Sequence, residues 1–177
     1  MSNNDVRKPV FDMLDLLGLE YGLLEHPAVF TQEDSELRGI DSEGLSVTIY
    51  KNLFLRNKKK TAYYLISLPL EKRADLKTIA KMLGKERLSF ASESDLYERL
   101  HIRPGSVSFL NIAGAAAANP DGWEKGSVKF IIDKEAFTHE HIGVHPNDNT
   151  ATVLLAPKDI HKIFEHYKAD QVFMELG

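Results

Sequence analysis

Val47-Thr48-Ile49-Tyr50-Lys51-Asn52-Leu53-Phe54-Leu55-Arg56-Asn57-Lys58-Lys59-Lys60-Thr61-Ala62-Tyr63-Tyr64-Leu65-Ile66-Ser67-Leu68-Pro69-Leu70 is the stretch on which the fold turns. Two apolar runs, Leu53-Phe54-Leu55 and Ala62-Tyr63-Tyr64-Leu65-Ile66, flank Arg56-Asn57-Lys58-Lys59-Lys60. Aromatic and aliphatic residues suit a pleated surface, so the pattern predicts a β-hairpin with a strongly basic turn. Upstream, Asp41-Ser42-Glu43-Gly44 reads as polar loop, Thr31 with Asp34 as the N-cap of a short helix ending at Gly39, and Glu20 to Glu25 as a strand. Val10, Met13, Leu14 and Leu17 recur at helical spacing, which predicts an amphipathic helix from Pro9, in its first turn, to Gly18.

Downstream, a helix is predicted from Asp75 to Leu83, closed by Gly84, and a short strand at Leu88-Ser89-Phe90. Ser92 with Asp95 caps a helix ending near Leu100. Arg103-Pro104-Gly105-Ser106 is turn chemistry leading into Val107 to Ile112, and Asn119-Pro120-Asp121-Gly122 is a second turn. Strands are predicted at Val128 to Ile132, His139 to Val144 and Thr150 to Leu155. A final amphipathic helix runs from Pro157 through Tyr167, and Val172 to Met174 forms a last strand. Helices and strands are interspersed without strict βαβ alternation. The expectation is a mixed α/β (α+β) fold, a mixed sheet flanked by helices, and not a doubly wound nucleotide fold.

The 177 residues are 43% apolar and 27% charged, enough for one core, and one domain spanning 1–177 is expected. No apolar run approaches the roughly 20 residues of a membrane span, and Met1-Ser2-Asn3-Asn4-Asp5 does not open a secretory signal, so the expected location is the cytoplasm, with no membrane partner. The absence of cysteine excludes disulfides, thiol nucleophiles, iron–sulfur clusters and thiolate zinc sites. Net charge is −4, unevenly spread. Residues 1–50 carry three basic against ten acidic side chains, residues 51–104 thirteen against six, and residues 105–177 six against ten. A basic middle third on an acidic chain suits contact with a few phosphates better than tracking of a long duplex, so DNA is not an expected partner.

Neither common phosphate-binding glycine loop occurs, nor G-x-S-x-G, nor H-E-x-x-H. Three other features have chemical potential. Lys51 and Asn52 sit just before an apolar strand, where an ammonium offers a point charge to a phosphate or a developing oxyanion and an amide offers donors and an acceptor. His145-Pro146-Asn147-Asp148-Asn149-Thr150-Ala151-Thr152 is a polar loop between strands. In it His145 can orient water or donate to a carbonyl, Asn147 and Asn149 can fix the loop through Asx turns, and Thr150 or Thr152 can line a pocket. At Gly105 the backbone can approach a ligand closely and offer amide donors. Each also has a purely structural reading as a solvated lysine, a satisfied turn or a chain reversal. His139, His141 and His145 share one face if their strand continues unbroken, which keeps a metal site open as an alternative. His26, before Pro27, reads equally as pocket wall or turn.

Taken in order, Glu25-His26-Pro27-Ala28-Val29-Phe30-Thr31, Lys51-Asn52-Leu53-Phe54-Leu55, Leu88-Ser89-Phe90-Ala91-Ser92, Pro104-Gly105-Ser106-Val107-Ser108 and His145 to Thr152 resemble the prolyl-tRNA editing family of YbaK-like domains. The resemblance is greatest to its stand-alone alanyl-tRNA(Pro) deacylases, the ProXp-ala or PrdX group. It implies a single domain with a mixed, partly barrel-like sheet and surrounding helices. It also implies hydrolysis of the ester joining a wrong amino acid to the 3′ end of tRNA, without metal or cofactor. By position, Lys51 matches the family lysine that engages the terminal adenosine or its phosphate, Asn52 its polar neighbour, and His145 the pocket histidine. Gly105 begins a loop resembling the family's GxxxP loop, with Phe109 where the proline usually stands. His26, Thr31, Ser106, Val107, Ser108, Asn147, Asn149 and Thr150 are the implied substrate-binding set, with Lys51, Asn52, Gly105 and His145 as catalytic.

An aminoacyl ester is already activated, so such a site needs mainly to orient the attacking oxygen and stabilise an oxyanion. The expected substrate is Ala-tRNA(Pro), because a pocket too small for proline can hydrolyse the smaller error. Arg56, Lys58, Lys59 and Lys60 are the expected contacts to the tRNA backbone, and prolyl-tRNA synthetase is a possible further partner. Deacylation of Cys-tRNA(Pro) or another small-residue error, a non-catalytic tRNA or ligand-binding module, and a metal-dependent hydrolase are the alternatives.

Overall fold

A computed structural model describes residues 3–28, 47–120 and 127–177. The expected helix and loop between Thr31 and Gly44 lie outside the described residues, as do Asp121 and Gly122 of the second turn. The hairpin forms as its sequence dictates: β2 (Val47–Asn57) pairs antiparallel with β3 (Tyr63–Pro69), from Tyr50 opposite Pro69 to Arg56 opposite Tyr63. Its turn is built by Asn57, whose side-chain oxygen accepts from the backbone N–H of Thr61 at 2.9 Å. Lys60 adopts a left-handed φ of 54° there.

β2 organises the sheet because it is long enough to serve different partners along one edge. Its first residues, Val47 to Ile49, pair parallel with β6 (His141–Val144), and its last, Leu55 to Asn57, pair antiparallel with β4 (Leu88–Phe90). Between these two no described strand covers residues 50–54 on that edge. Among the described residues the strands run β1-β7-β6-β2-β3-β5-β8, where β1 is Tyr21–Glu25, β5 Val128–Asp133, β7 Ala151–Leu155 and β8 Asp170–Met174. Antiparallel and parallel pairs coexist, so the sheet is mixed as expected. Among the described residues it is not closed into a barrel, because its ends, β1 and β8, do not pair.

Alternation along the strands gives two cores. Tyr50, Phe54, Leu65, Phe130, Ile142 and Val153 face the larger one, with Phe109 and Phe164. Leu55, Tyr64, Ile66, Leu68, Leu88 and Ile131 face the smaller. The smaller core is capped by α2 (Leu76–Met82), which places Ile79 and Ala80 in it. That helix starts on Asp75, whose carboxylate accepts from the N–H groups of Lys77 and Thr78, and ends at Gly84 with φ 65°. α3 (Glu93–Leu100) opens on the reciprocal Ser92–Asp95 capping box expected of its sequence.

Two helices differ from the sequence reading. α1 (Asn3–Leu16) begins six residues before Pro9, which therefore lies inside it and cannot donate to the carbonyl four residues back. Tertiary bonds from Val6 and Arg7 hold this first turn in place. α4 (Asn111–Ala118) occupies the Ala-rich run that carried no assignment. It has no side-chain cap, and Ile112, Ala113 and Ala115 are buried, so it lacks the amphipathic signature by which helices are found. α5 (Ile160–Tyr167) follows a short 3₁₀ turn, Pro157–Asp159. No described helix is long and apolar enough to cross a membrane.

Candidate active site

Parallel pairing of β2 with β6 sets His141 opposite Val47 and Gly143 opposite Ile49. Two residues further along the two strands stand Lys51 and His145. Because side chains alternate, Lys51 projects on the face of Ile49, and His145, one residue past β6, follows Gly143. That this face is continuous is shown by Gly143. A Cβ there would lie 2.6 Å from Ile49 Cδ1 and 2.9 Å from Thr152 Cγ2, so only glycine lets these two side chains close over the strand. Thr152, on β7, bonds His26 Nε2 at 2.9 Å, and the His26 and His145 rings lie 6.0 Å apart between centroids. The strands thus gather Lys51, His26, His145 and Thr152 on one face, beside the stretch of β2 edge that no described strand covers.

Hydrogen bonding sets the tautomer of His145. His145 Nδ1 lies 2.8 Å from the carbonyl oxygen of Ala151, which can only accept, so Nδ1 carries the proton and Nε2 the lone pair. Burial lowers the His145 pKa below the ordinary histidine range, and the neighbouring His26 pushes the same way. The Ala151 carbonyl and Asp148 oppose this without reversing it. The ring is therefore a neutral base at physiological pH. His26 Nδ1 faces the carbonyl of Pro27 at 2.9 Å, and its Nε2 lies 2.9 Å from the Thr152 hydroxyl. Lys51 Nζ donates to the Leu70 carbonyl at 2.9 Å, and burial lowers its pKa.

The loop bearing His145 is tied down by residues distant in sequence. Ser108 Oγ donates to the His145 carbonyl at 2.7 Å. Asn111 accepts from the Ser108 N–H and donates to the Ser106 carbonyl and to Asn147 Oδ1, and Asn147 Nδ2 donates to the Val6 carbonyl at 3.1 Å. Asn147 thus serves as a long-range bridge, in a left-handed conformation with φ 63°. The Asx turn is made by Asp148, whose Oδ1 accepts from the Thr150 N–H at 2.9 Å. Beneath them lies Arg7, 5% exposed, donating to Asp148 Oδ2, Glu25 Oε1 and Thr150 Oγ1. One guanidinium therefore braces the segments that follow β6 and precede His26. Asn149 belongs to the same loop.

Gly105 takes φ 90°, a left-handed conformation that suits glycine, and Ser106 and Ser108 are buried beyond it. Among the described residues the amide N–H groups of Ser106, Ser108, Leu110 and Asn111 are engaged within the loop, whereas those of Gly105 and Val107 meet no acceptor. Phe109 is fully buried with its ring 6.0 Å from that of Phe164, so the side chain standing in the proline's place joins the core.

Asn52 is not brought together with Lys51. Alternation turns it to the opposite face, between Tyr50 and Phe54, where Ser67 Oγ donates to its Oδ1. Thr31 lies outside the described residues. The line His139, His141, His145 does not form, because β6 begins only at His141 and His139 turns to Thr48 Oγ1 at 3.1 Å and to Glu135. Among the described residues no group of three or more histidines and carboxylates is placed to hold a metal ion. At the hairpin, Arg56 and Lys60 stand 3.9 and 3.8 Å from the buried Asp95, while Lys58 and Lys59 are exposed with no acidic partner among the described residues. A cavity of about 920 Å³ at the far end of β6 is walled by Gly22, His139, His141, Leu154 and Lys162, and neither Lys51 nor His145 lines it. Thr152 takes the pocket-lining place expected of it, whereas Arg7 and Asn111 completed the site without a local signal that separates them from ordinary helix residues.

Residues 26–163 match the aminoacyl-tRNA editing domain family. The chain is 37% identical over 159 residues to the prolyl-tRNA editing protein ProX of Acetoanaerobium sticklandii, covering 90% of each. It is 30% identical over 168 residues to the prolyl-tRNA synthetase associated domain-containing protein 1 of Mus musculus, covering 90% of this chain and 89% of that one. Its fold superposes on the crystal structure of a candidate trans-editing enzyme for prolyl tRNA synthetase with a TM-score of 0.66 at 18% identity, covering 100% of this chain and 99% of the other.

Proposed function

The chain belongs to the aminoacyl-tRNA editing domain family, whose members are aminoacyl-tRNA deacylases, and from that premise we infer that it edits tRNA(Pro) by hydrolysing mischarged Ala-tRNA(Pro). The observation that carries this reading is the placement of Lys51 on the sheet face of His145, His26 and Thr152. The 3′-terminal nucleotide lies over that face with its phosphate or developing oxyanion near the Lys51 ammonium. The amide N–H of Val107, following Gly105, is a second donor for the oxyanion. His145, a neutral base with its lone pair on Nε2, takes the proton of the attacking water, directly or through the ribose 2′-hydroxyl, and returns it to the departing ribose 3′-oxygen, which releases the free amino acid. Asn52 acts from the other face, through its bond with Ser67, as a brace for the strand that carries Lys51.

Alanine is the favoured acyl group because a binding pocket of limited size admits it and excludes proline. Recruitment by prolyl-tRNA synthetase belongs to the same reading. Incubation with Ala-tRNA(Pro), Cys-tRNA(Pro) and Pro-tRNA(Pro), following amino-acid release, tests it. Rapid loss of alanine with proline retained is the expected result, and Lys51→Ala should slow that release about a hundredfold with the fold intact. Preference for cysteine would move the specificity, and release of none of the three would remove the function.

A further inference from the structure

Phe90 is 62% exposed, and its place on the sheet gives that exposure a direction. It ends β4 opposite Leu55, so its ring projects on the same face of β2 as Leu55, Leu53 and Lys51. Unlike Leu55, it stands on the outer strand, beside the stretch of β2 edge left open between β4 and β6. Among the described residues its ring meets no other aromatic side chain.

The same register assembles a basic corner beside it. Leu88 lies opposite Asn57, which brings Arg87 alongside the turn residue Lys58. Lys58, Lys59, Lys85 and Arg87 are all exposed and none has an acidic partner among the described residues, while the nearby Asp95 is engaged by Arg56 and Lys60. From this corner to Lys51 the strand spans six residues, about 20 Å. The cations therefore stand at the hairpin end of the strand, beyond Phe90, and the ring of Phe90 shares its sheet face with the half-buried Lys51 ammonium and the two imidazoles. Alternation of phosphate-binding charge with a flat apolar face is the chemistry that receives a single-stranded nucleic acid.

We propose that Phe90 is a stacking platform for an unpaired nucleotide of the tRNA 3′ end, with Lys58, Lys59, Lys85 and Arg87 holding the phosphates upstream of it. The platform rests on the tRNA reading above and adds to it the route by which the terminal nucleotides reach Lys51. Stacking fixes the strand's distance from the cations, so the ester is delivered to the imidazole face in one register.

The test compares binding of uncharged tRNA(Pro), intact and trimmed of its unpaired 3′ nucleotides, to the wild-type chain, Phe90→Ala and Phe90→Trp, with a thermal melt of each. Loss of one stacked base predicts about tenfold weaker binding of intact tRNA by Phe90→Ala. Trimmed tRNA should bind both proteins equally, Phe90→Trp should retain wild-type affinity, and the melts should coincide. Equal affinities of wild type and Phe90→Ala for intact tRNA overturn the platform, as does an equal loss on both tRNAs. In either case wild-type release of alanine from Ala-tRNA(Pro) leaves the editing reading standing. If the wild-type chain neither binds tRNA nor releases an amino acid, both fall together.

Discussion

The His145 loop and the hairpin turn at Lys58 and Lys59 are both polar connections between strands, yet they are held in opposite ways. The hydrogen bonds that fix the turn come from within it, chiefly from Asn57, and Lys58 and Lys59 reach into solvent. The His145 loop is held from α1, from the segment before α4 and from α4 itself, by side chains as far as 141 residues away. The difference matches what the proposed function asks of each. A general base must keep its tautomer and position to within a fraction of an ångström, whereas cations that attract a phosphate backbone work through a field and lose little by moving.

Cutting the deepest tie should do the most damage. Arg7→Met leaves the carboxylate of Asp148 buried without its guanidinium, and about 3 kcal/mol of stability should be lost, measured by chemical denaturation. With that counter-charge removed, Asp148 draws the His145 pKa upward, which an NMR titration of the ring will show. An unchanged denaturation midpoint would mean that the loop is not braced from α1.

A smaller effect tests the His145 loop by pH. His145 has a folded pKa below its unfolded value of about 6.5, so the unfolded chain binds the extra proton first. Its contribution is complete above that value and declines as pH falls from there toward the folded pKa. Denaturation midpoints should slope downward in that window for the wild-type chain and less steeply for His145→Gln.

The smallest effect on the fold, and a clear one on binding, is expected at the turn. Lys58→Ala with Lys59→Ala should leave the unfolding midpoint in place, because neither side chain is braced. The same pair should lower the slope of tRNA affinity against salt by about two. A matching slope would mean that these lysines do not meet the backbone.

Much of the fold was legible because its signals are local. The hairpin follows from two apolar runs around a polar one, α3 from Ser92 and Asp95, and α2 from Asp75 and Gly84. α4 escaped because a helix buried on most sides leaves no apolar stripe, and because Asn111 spends its side chain on the preceding loop. In the site, Lys51, His26 and His145 stand out as chemically capable residues beside strands. Asn52 misled because adjacency in sequence places neighbours on opposite faces of a strand. Arg7 was illegible for a different reason: on an amphipathic helix it reads as a solvated charge, and only docking of α1 reveals its three acceptors.

The shared face of Lys51, His26 and His145 is best tested by NMR, titrating the labelled chain with 3′-alanylamino-3′-deoxyadenosine, whose amide resists hydrolysis. The Lys51 ammonium, both imidazoles and the Val107 amide should shift together along one binding isotherm. Shifts confined to the cavity around Gly22 and His139, with Lys51 and His145 unmoved, would contradict the account.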